Sequence, residues 1–389
     1  MNKIMNRAKS ILFVLPSLKI GGTTSSMMAI LNSSMVKDYH IDVFFIVDVG
    51  GINRILSPHN IGKNELTTAY YGTFINFNMF RRLKYLPIKI LKQFSFFREV
   101  LEKKIVNATI RSIEKDYHYD YVVGFEERFA TSFATHFSCG NKVAWVHCDY
   151  YSANGPLSDE DAIYQEYSKI VCVSNYTRGR FLEVYPSLTD KTVAIHNVFD
   201  VDNILKMADE QIEDSRFDNS LFTIISLGRI NEVKRFCEIP VIAQGLKGKG
   251  ADFRWYILGK DDGSDELDKL LNAIQEHHVE KEVIYLGSKS NPYPYLKASD
   301  MMVTVSRSEA CPMIFNESKI LHVPIVSTDF GSAFEFICQG GNGYIASLSD
   351  MTSQIYDLMK DSSKLENMRN FAFVDDNDLV IEQLKALFE

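Results

Sequence analysis

Two series of short apolar runs, each interleaved with helix-like stretches, constrain the fold of this chain more than any other feature. The runs are rich in Val, Ile and aromatic residues, which is typical of buried strands. Strands that alternate with helices predict a parallel sheet covered by helices on both faces. The first series predicts strands at residues 11–15, 41–47, 121–125, 142–146, 169–173 and 191–195. The second predicts strands at residues 221–226, 252–258, 283–286, 301–305 and 324–327.

A polar, acidic stretch near residues 198–220 separates the two series. Because the chain has 389 residues and domains usually run about 100–200 residues, two domains are expected. We predict an α/β protein with two doubly wound, Rossmann-like domains, at residues 1–199 and 200–375, that face each other across a cleft. The helix-like stretch at 376–389 can join the first domain. Open α/β sheets bind ligands at the carboxyl ends of their strands, so the site is expected in the cleft.

Composition argues against several classes of protein. A formal net charge of −8 disfavours wholesale nucleic-acid binding, and no run of about 18 apolar residues is present to span a membrane. The apolar run at 11–15 is too short for the core of a signal peptide and is better explained as a first strand. The six cysteines include no CxxC pair, so we expect reduced thiols in a cytoplasmic protein and no zinc site.

One segment breaks the alternation of strands and helices. From Arg81 to Lys104 the chain carries eight Lys or Arg residues against two Glu residues, interleaved with Phe, Leu, Ile and Tyr. A basic amphipathic segment can lie on an anionic membrane surface. An ordinary basic surface helix, or a mobile loop above an acidic substrate, explains the same residues. The membrane alternative predicts a protein that is peripheral on the inner face of the cell membrane.

The chemistry of the second domain is concentrated between Asp300 and Glu317. A buried-type strand is followed by a polar turn, and Pro312 suits the first position of a helix because it has no N–H to leave unpaired. The N–H groups of Met313 and Ile314, at the start of that helix, can hold a phosphate. The segment therefore indicates a site for a phosphorylated ligand.

Two glutamates lie eight positions apart in this segment, Glu309 in the turn and Glu317 about one turn into the helix. Most glutamates at such a spacing are solvated surface charges. On a strand–turn–helix unit, however, Glu317 can accept hydrogen bonds from the paired hydroxyls of a ribose. We therefore expect the segment to bind a nucleotide.

Five stretches of the chain, in order, resemble the family-4 retaining glycosyltransferases of bacterial surface-polysaccharide type, which have the GT-B fold. The longest is LGSKSNPYPYLKASDMMVTVSRSEACPMIFNESKILHVPIVSTDFGSAFEF. The others are LPSLKIGGTTSSM, KIVCVSNYTRGRF, KTVAIHNVFD and SLGRINEVKRF. The order and spacing of the five are far more specific than any one of them.

The resemblance implies roles for residues of the second, nucleotide-sugar-binding domain. Arg229 and Lys234 match the basic pair that family members aim at the donor diphosphate. Two cations at a strand end would neutralise the charge that develops on the leaving nucleotide. Glu309 matches the first glutamate of the family's paired motif, near the transferred sugar, and Glu317 matches the second, at the ribose.

For the first domain, the resemblance implies the acceptor side of the site. Gly21 and Gly22 match a loop whose backbone approaches the donor phosphates and the acceptor. His147 follows a predicted strand and matches a histidine that the family places beside the reacting sugar, and Asp149 is a weaker acceptor-side candidate. Two glycines alone are more often a simple turn, and a lone histidine is more often structural.

The chain departs from the family pattern just after Glu309. Ala310, Cys311 and Pro312 stand where many members have Gly and Phe. The turn still suits a phosphate, but the choice of sugar is left open by this difference.

The acidic stretch DDGSDELDKL at 261–270 raises the question of a metal. Carboxylate oxygens can hold a divalent ion. A solvated turn into a helix capped by Ser264 or Asp265 explains the same residues. GT-B enzymes as a class need no metal bound through an Asp-x-Asp motif, so we expect no required metal or cofactor, with the nucleotide diphosphate sugar as a substrate.

The resemblance implies a retaining hexosyltransferase. It would move a hexose or N-acetylhexosamine from a nucleotide diphosphate sugar, with UDP favoured by family frequency, to a hydroxyl of a glycan acceptor. A lipid-linked acceptor in cell-surface polysaccharide biosynthesis, of capsule or lipopolysaccharide, is expected. Two alternatives stay open: a non-catalytic GT-B subunit that binds a partner enzyme or glycan, and a nucleotide-sugar epimerase. A dinucleotide-dependent dehydrogenase is disfavoured because no G-x-G-x-x-G follows the first strand.

Overall fold

The structure is a computed structural model that describes residues 8–17, 21–47, 95–150, 160–371 and 377–389, with the backbone alone at 95–105. The described residues form two compact units. The first takes those within Met1–Val173, Thr177–Phe199 and Asn377–Glu389, and the second takes Ser174–Tyr176 and those within Asp200–Asp376.

The first unit is built on a parallel sheet. In its described residues the strand order is β2-β1-β3-β4-β5-β6. The strands are β1 (Lys9–Ser17), β2 (Tyr39–Val47), β3 (Tyr121–Gly124), β4 (Lys142–Val146), β5 (Lys169–Cys172) and β6 (Thr192–Ala194). Apolar side chains such as Val14, Val122, Ala144 and Ile170 form its core, because both faces of a parallel sheet are buried.

The second unit has a parallel sheet of its own. The strand order in its described residues is β12-β11-β10-β7-β8-β9. The strands are β7 (Phe222–Leu227), β8 (Phe253–Leu258), β9 (Val283–Gly287), β10 (Met301–Thr304), β11 (Ile325–Thr328) and β12 (Gly343–Ala346). The core centres on Ile224, Trp255, Ile257 and Val303.

Helices alternate with the strands in both units. Before residue 200 they are α1 (Gly22–Asn32), α2 (Met35–Asp38), α3 (Ser95–Asp116), α4 (Phe129–Ala134), α5 (Glu160–Gln165) and α6 (Asn175–Val184). After it they are α7 (Val201–Ala208), α8 (Ile239–Gly248), α9 (Glu266–Glu276), α10 (Tyr293–Lys297), α11 (Met313–Ile320), α12 (Ala333–Phe336), α13 (Met351–Lys360), α14 (Ser362–Arg369) and α15 (Asn377–Leu387). Two 3₁₀ turns lie at Pro186–Lys191 and Phe236–Glu238.

All of the strands that the sequence predicts are present, with ends that move by at most two residues. The sequence does not predict β12, which lies at the edge of the described sheet, pairs with β11 and has one buried residue, Gly343. Gly340 and Gly341 precede β12 and Gly343 is its first residue, and glycine-rich stretches lack the side chains that indicate a strand.

The C-terminal helix α15 packs on the sheet of the first unit. Phe388, just beyond it, is fully buried. Its ring meets those of Tyr121 and Phe13 edge-on, with centroids 5.2 and 6.4 Å away. Lys9, at the start of β1, donates from Nζ to the Phe388 carbonyl at 2.8 Å.

Candidate functional site

The sheet of the second unit changes direction between β7 and β10. The chain passes from β7 outward to β8 and β9, then returns to place β10 on the other side of β7. At such a switch point the loops that leave the two central strands diverge and open a crevice. The loop after β7 carries Arg229 and Lys234, and the turn after β10 carries Glu309. The topology therefore brings both predicted motifs to one edge of one sheet.

Gly228 shapes the loop after β7. Its φ of +151° is in the region that favours glycine, and a Cβ there would lie 3.0 Å from Cε of Lys234. Gly259, after β8, is equally constrained, since a Cβ there would fall 1.7 Å from the Gly228 carbonyl oxygen. The missing side chains let the Lys234 stem lie against the backbone.

Lys234 and Glu309 form an ion pair. Lys234 Nζ lies 2.5 Å from Glu309 Oε1, and the two side chains are only 19% and 17% exposed. Ser306 also donates to Glu309 Oε1, at 2.7 Å. A charge-assisted contact of this length with little water around it fixes both side chains more firmly than a surface pair would.

The backbone around Glu309 is tied to the neighbouring loops. The Arg307 N–H donates to the Val233 carbonyl at 2.8 Å, which links the two loops directly. Arg235 has a left-handed backbone with φ +51°, and its guanidinium donates to the carbonyls of Val305 and Ser306 at 2.8 and 2.9 Å. The basic residue next to Lys234 therefore clamps the end of β10.

Glu317 lies on α11, and its pKa is strongly perturbed. Burial raises the pKa of Glu317 from 4.5 to about 7, while the Tyr293 hydroxyl and the charge of Lys234 act in the opposite direction. Tyr293 donates to Glu317 Oε1 at 3.1 Å. Both glutamates of the predicted motif thus interact with Lys234, Glu309 by direct contact and Glu317 through its field.

The other predicted residues of this unit are more exposed. Arg229 is exposed and forms no ion pair with the described part of the chain, although its charge contributes to lowering the pKa of Asp262. The helix begins at Met313, one residue later than Pro312, which is its N-cap with an extended backbone. Met313 and Ile314 therefore occupy the first turn of α11.

In the first unit, His147 follows the carboxyl end of β4. Burial lowers the pKa of His147 from 6.5 to about 3, so the ring is neutral at physiological pH. The ring hydrogen-bonds the backbone of Phe125, while its buried Nε2 has no hydrogen-bond partner among the described residues. A neutral imidazole that donates from Nδ1 offers Nε2 as an acceptor.

Glu127, for which the sequence predicts no role, holds the backbone of His147. Glu127 follows β3 and accepts a hydrogen bond from the His147 N–H through Oε2 at 2.9 Å. It also interacts with the thiol of the next residue, Cys148, which contributes to raising the pKa of that thiol. Asp149, the weaker candidate, is buried and lies 3.7 Å from Nε of Arg180, which suits a structural role.

Gly21 and Gly22 begin α1, which follows β1 at the switch point of the first sheet. Gly21 has an extended backbone, with φ 169°, that any residue can adopt. A Cβ at Gly21 would meet no atom of the described residues within 4 Å. The backbone conformation therefore does not require glycine at position 21. The open space beside its Cα would let a ligand approach the backbone closely.

The acidic stretch at 261–270 forms a turn into a helix. Asp261 and Asp262 accept from the N–H groups two residues on, at 3.0 Å, and Asp265 stands at the N-cap of α9. Among the described residues, no group of three or more His, Cys, Asp or Glu side chains is arranged to hold a metal. Within the same residues, no helix is both long and apolar enough to cross a membrane.

The sequence predicts Lys234, Glu309 and Glu317 as neighbours, and the structure brings them together. The sequence does not predict roles for Tyr293, Ser306 and Glu127. Tyr293 and Glu127 act through contacts with residues that are distant in sequence, and Ser306 lies in a polar turn with no distinctive pattern. The segment from Arg81 to residue 94 lies outside the described residues, and of its remainder only the helical backbone of α3 is described.

Residues 207–374 match the family model of glycosyl transferases group 1. An uncharacterized glycosyltransferase, MJ1059 of Methanocaldococcus jannaschii, is 27% identical over 43% of this chain and only 41% of its own length. The O-antigen biosynthesis glycosyltransferase WbnH of Escherichia coli is 23% identical over 90% of this chain and 98% of its own. A Campylobacter jejuni N-acetylgalactosaminyltransferase that acts on a diphospho-undecaprenol glycan is 29% identical over 36% of each chain.

Solved structures share the fold of the whole chain. A glycosyltransferase from Rickettsia africae has a TM-score of 0.71, 15% identity and coverage of 98% of this chain and 97% of its own. Anabaena HepE in complex with UDP-glucose has a TM-score of 0.69, 16% identity and coverage of 97% and 99%. The predicted fold class is confirmed: the chain has two parallel-sheet α/β domains and the GT-B fold, and its residues 207–374 match the family model of glycosyl transferases group 1.

Proposed function

We propose that this protein is a retaining glycosyltransferase. It transfers a hexose or N-acetylhexosamine from a nucleotide diphosphate sugar to a hydroxyl of a lipid-linked glycan during cell-surface polysaccharide synthesis. The observation that carries the proposal is the convergence of Lys234, Glu309 and Glu317 at the switch point of the second sheet. A cation flanked by two carboxylates, beside a helix N-terminus, suits a ligand with both phosphates and sugar hydroxyls.

The leaving group is the nucleoside diphosphate, and stabilising it is the main catalytic task. Lys234, held by Glu309 and by the bare backbone of Gly228, is preorganised to meet the charge that builds up as the glycosidic bond breaks. Arg229, exposed and without an ion pair among the described residues, adds a second cation. The first-turn N–H groups of Met313 and Ile314 contribute hydrogen bonds and the positive end of the α11 dipole.

The two carboxylates bind the uncharged hydroxyl groups of the donor. Glu309 accepts hydrogen bonds from hydroxyls of the transferred sugar, and Glu317 accepts them from the ribose. His147, neutral and with Nε2 as an acceptor, binds a hydroxyl of the reacting sugar. In this front-face mechanism the donor's own phosphate oxygen takes the acceptor proton, so no protein nucleophile is needed.

The similar proteins support a choice of substrates. HepE binds UDP-glucose, the Campylobacter jejuni enzyme uses a diphospho-undecaprenol glycan, and WbnH acts in O-antigen synthesis. We propose a UDP-sugar as the donor and a polyprenyl-diphosphate glycan as the acceptor.

A donor screen tests the proposal. The purified chain is mixed with UDP-, GDP- and dTDP-sugars, and binding is followed by thermal shift while donor hydrolysis is followed by release of the nucleotide. We expect one class, the UDP-sugars, to stabilise the protein and to be slowly hydrolysed. Binding without any hydrolysis or transfer would favour a non-catalytic subunit, and interconversion of the sugar without an acceptor would favour an epimerase.

A further inference from the structure

Glu317 has a partner that the proposed chemistry does not use. The Tyr293 hydroxyl, at the first residue of α10, donates to Glu317 Oε1 at 3.1 Å. The two residues come from different elements, 24 positions apart. A contact between two separate helices at a ligand-facing carboxylate needs an explanation beyond helix packing.

The position of Tyr293 is itself fixed. Its N–H donates to Asn291 Oδ1 at 3.1 Å. Asn291 in turn donates from Nδ2 to the carbonyl of Met207 at 2.7 Å and to Glu210 at 2.9 Å. Hydrogen bonds at the end of α7 therefore hold Asn291, and Asn291 holds the backbone of Tyr293. This arrangement fixes the position from which the Tyr293 hydroxyl donates to Glu317.

The hydroxyl is a permanent donor. Burial, together with the nearby charge of Glu317 and the weaker field of Asp200, raises the pKa of Tyr293 far above its usual value. A phenol that stays protonated donates to a carboxylate and stabilises its charged form. The groups that act on Glu317 are Tyr293 and Lys234, which both favour its ionisation, while burial opposes it.

We propose that Tyr293 is a positioning residue that orients the Glu317 carboxylate and keeps it charged for the two hydroxyls of the donor ribose. A carboxylate offers about four acceptor sites. Tyr293 occupies one on Oε1 and leaves the others for the ribose. This inference rests on the proposed function, because it assigns the ribose to Glu317.

The test compares Tyr293→Phe with Tyr295→Phe, which makes the same chemical change two residues further along α10. The Tyr295 ring packs on Phe217, and its hydroxyl makes no hydrogen bond to the described residues. The dissociation constant of UDP-glucose is measured by calorimetry between pH 6 and 9, and turnover is measured alongside. A nucleotide sugar is a suitable probe because its diphosphate has no terminal phosphate to titrate near neutral pH.

At pH 7 we expect Tyr293→Phe to weaken UDP-glucose binding about five- to twenty-fold, with kcat changed less than about threefold. The loss should shrink towards pH 9, where Glu317 ionises without help. Tyr295→Phe should bind as the wild type does. In a Glu317→Leu background, which has no acceptor for the hydroxyl, the Tyr293→Phe change should have little further effect, because the hydroxyl acts through the Glu317 carboxylate.

Three results would overturn the inference: unchanged binding by Tyr293→Phe, a loss that is equal at all pH values, or a loss that persists in the Glu317→Leu background. The last two would indicate a structural role only. These outcomes differ from failure of the proposed function, in which the wild type itself would bind none of the nucleotide sugars.

Discussion

At the residue scale, both glutamates of the candidate site interact with Lys234. The sequence predicts that Lys234, Glu309 and Glu317 share a site, and their convergence follows from strand order because β7 and β10 are adjacent. Their partners could not be predicted in the same way. Tyr293 contacts Glu317, and Glu127 contacts the backbone at His147, only because the loops fold back on the sheet. Single polar residues in loops form no periodic sequence pattern from which such contacts could be predicted.

Glu317 should cost the protein stability at neutral pH. Because its pKa is raised to about 7, the folded protein holds the proton longer than the unfolded chain, and stability falls as pH rises from about 4.5 through 7. Glu317→Gln removes the charge and keeps an acceptor for Tyr293. We expect the variant to be about 1–3 kcal/mol more stable than the wild type at pH 8 and little different at pH 5.

Thermal unfolding at the two pH values checks this expectation. Glu280→Gln, at an exposed glutamate in the same unit, is the matched control and should leave the melting temperature unchanged. A Glu317→Gln variant that is destabilised equally at pH 5 and pH 8 would show that the ionisation of Glu317 is not costly.

At the element scale, the strands are the best-predicted part of the fold. Residues 170–173, for example, are all apolar, and both faces of the parallel sheets are covered. The strand β12 is not predicted because it is short, lies at the sheet edge and begins in a glycine-rich stretch. Its pairing with β11 therefore depends on the rest of the sheet. The helix start at Met313 was predicted to within one residue, since proline marks it in the sequence.

The loop after β7 should be intolerant of a side chain at Gly228. Gly228→Ala puts a Cβ into a backbone with φ +151° and 3.0 Å from Cε of Lys234. We expect about 1–3 kcal/mol of strain and a displaced Lys234 side chain, with donor turnover reduced at least tenfold.

Thermal melting and donor hydrolysis measure the two effects. The control is Gly248→Ala, at the last residue of α8, where a Cβ would contact nothing within 4 Å in the described residues and stability should be kept. Wild-type turnover in Gly228→Ala would mean that the geometry of this loop does not matter to the reaction.

At the scale of the whole molecule, charge is distributed unevenly. The chain carries a formal charge of −8, yet eight basic residues fall between Arg81 and Lys104. We propose that this segment contacts the anionic surface on which a lipid-linked acceptor resides. Binding of this kind depends on the number of basic residues in a segment, so the amino-acid sequence is sufficient to support the proposal.

Replacing Arg81, Arg82, Lys84 and Lys89 by Gln should weaken binding to vesicles that contain phosphatidylglycerol by at least about tenfold, since each basic residue contributes about 1 kcal/mol. Sedimentation with vesicles measures this. A control with four exposed lysines of the second unit replaced by Gln should bind as the wild type does. Equal binding by both variants and the wild type would refute the membrane contact.

Turnover of a UDP-sugar by Lys234→Met shows whether Lys234 stabilises a leaving nucleoside diphosphate. The control is Lys247→Met, which removes a lysine that also pairs with a glutamate, Glu282 at 3.1 Å, but lies at the C-terminal end of α8. Lys247→Met should melt close to the wild type, whereas Lys234→Met should melt lower because Glu309 loses its partner, so turnover is measured well below both melting temperatures. We predict that Lys234→Met loses about 10²–10³-fold in kcat while Lys247→Met stays within twofold, and wild-type turnover by Lys234→Met would contradict the account.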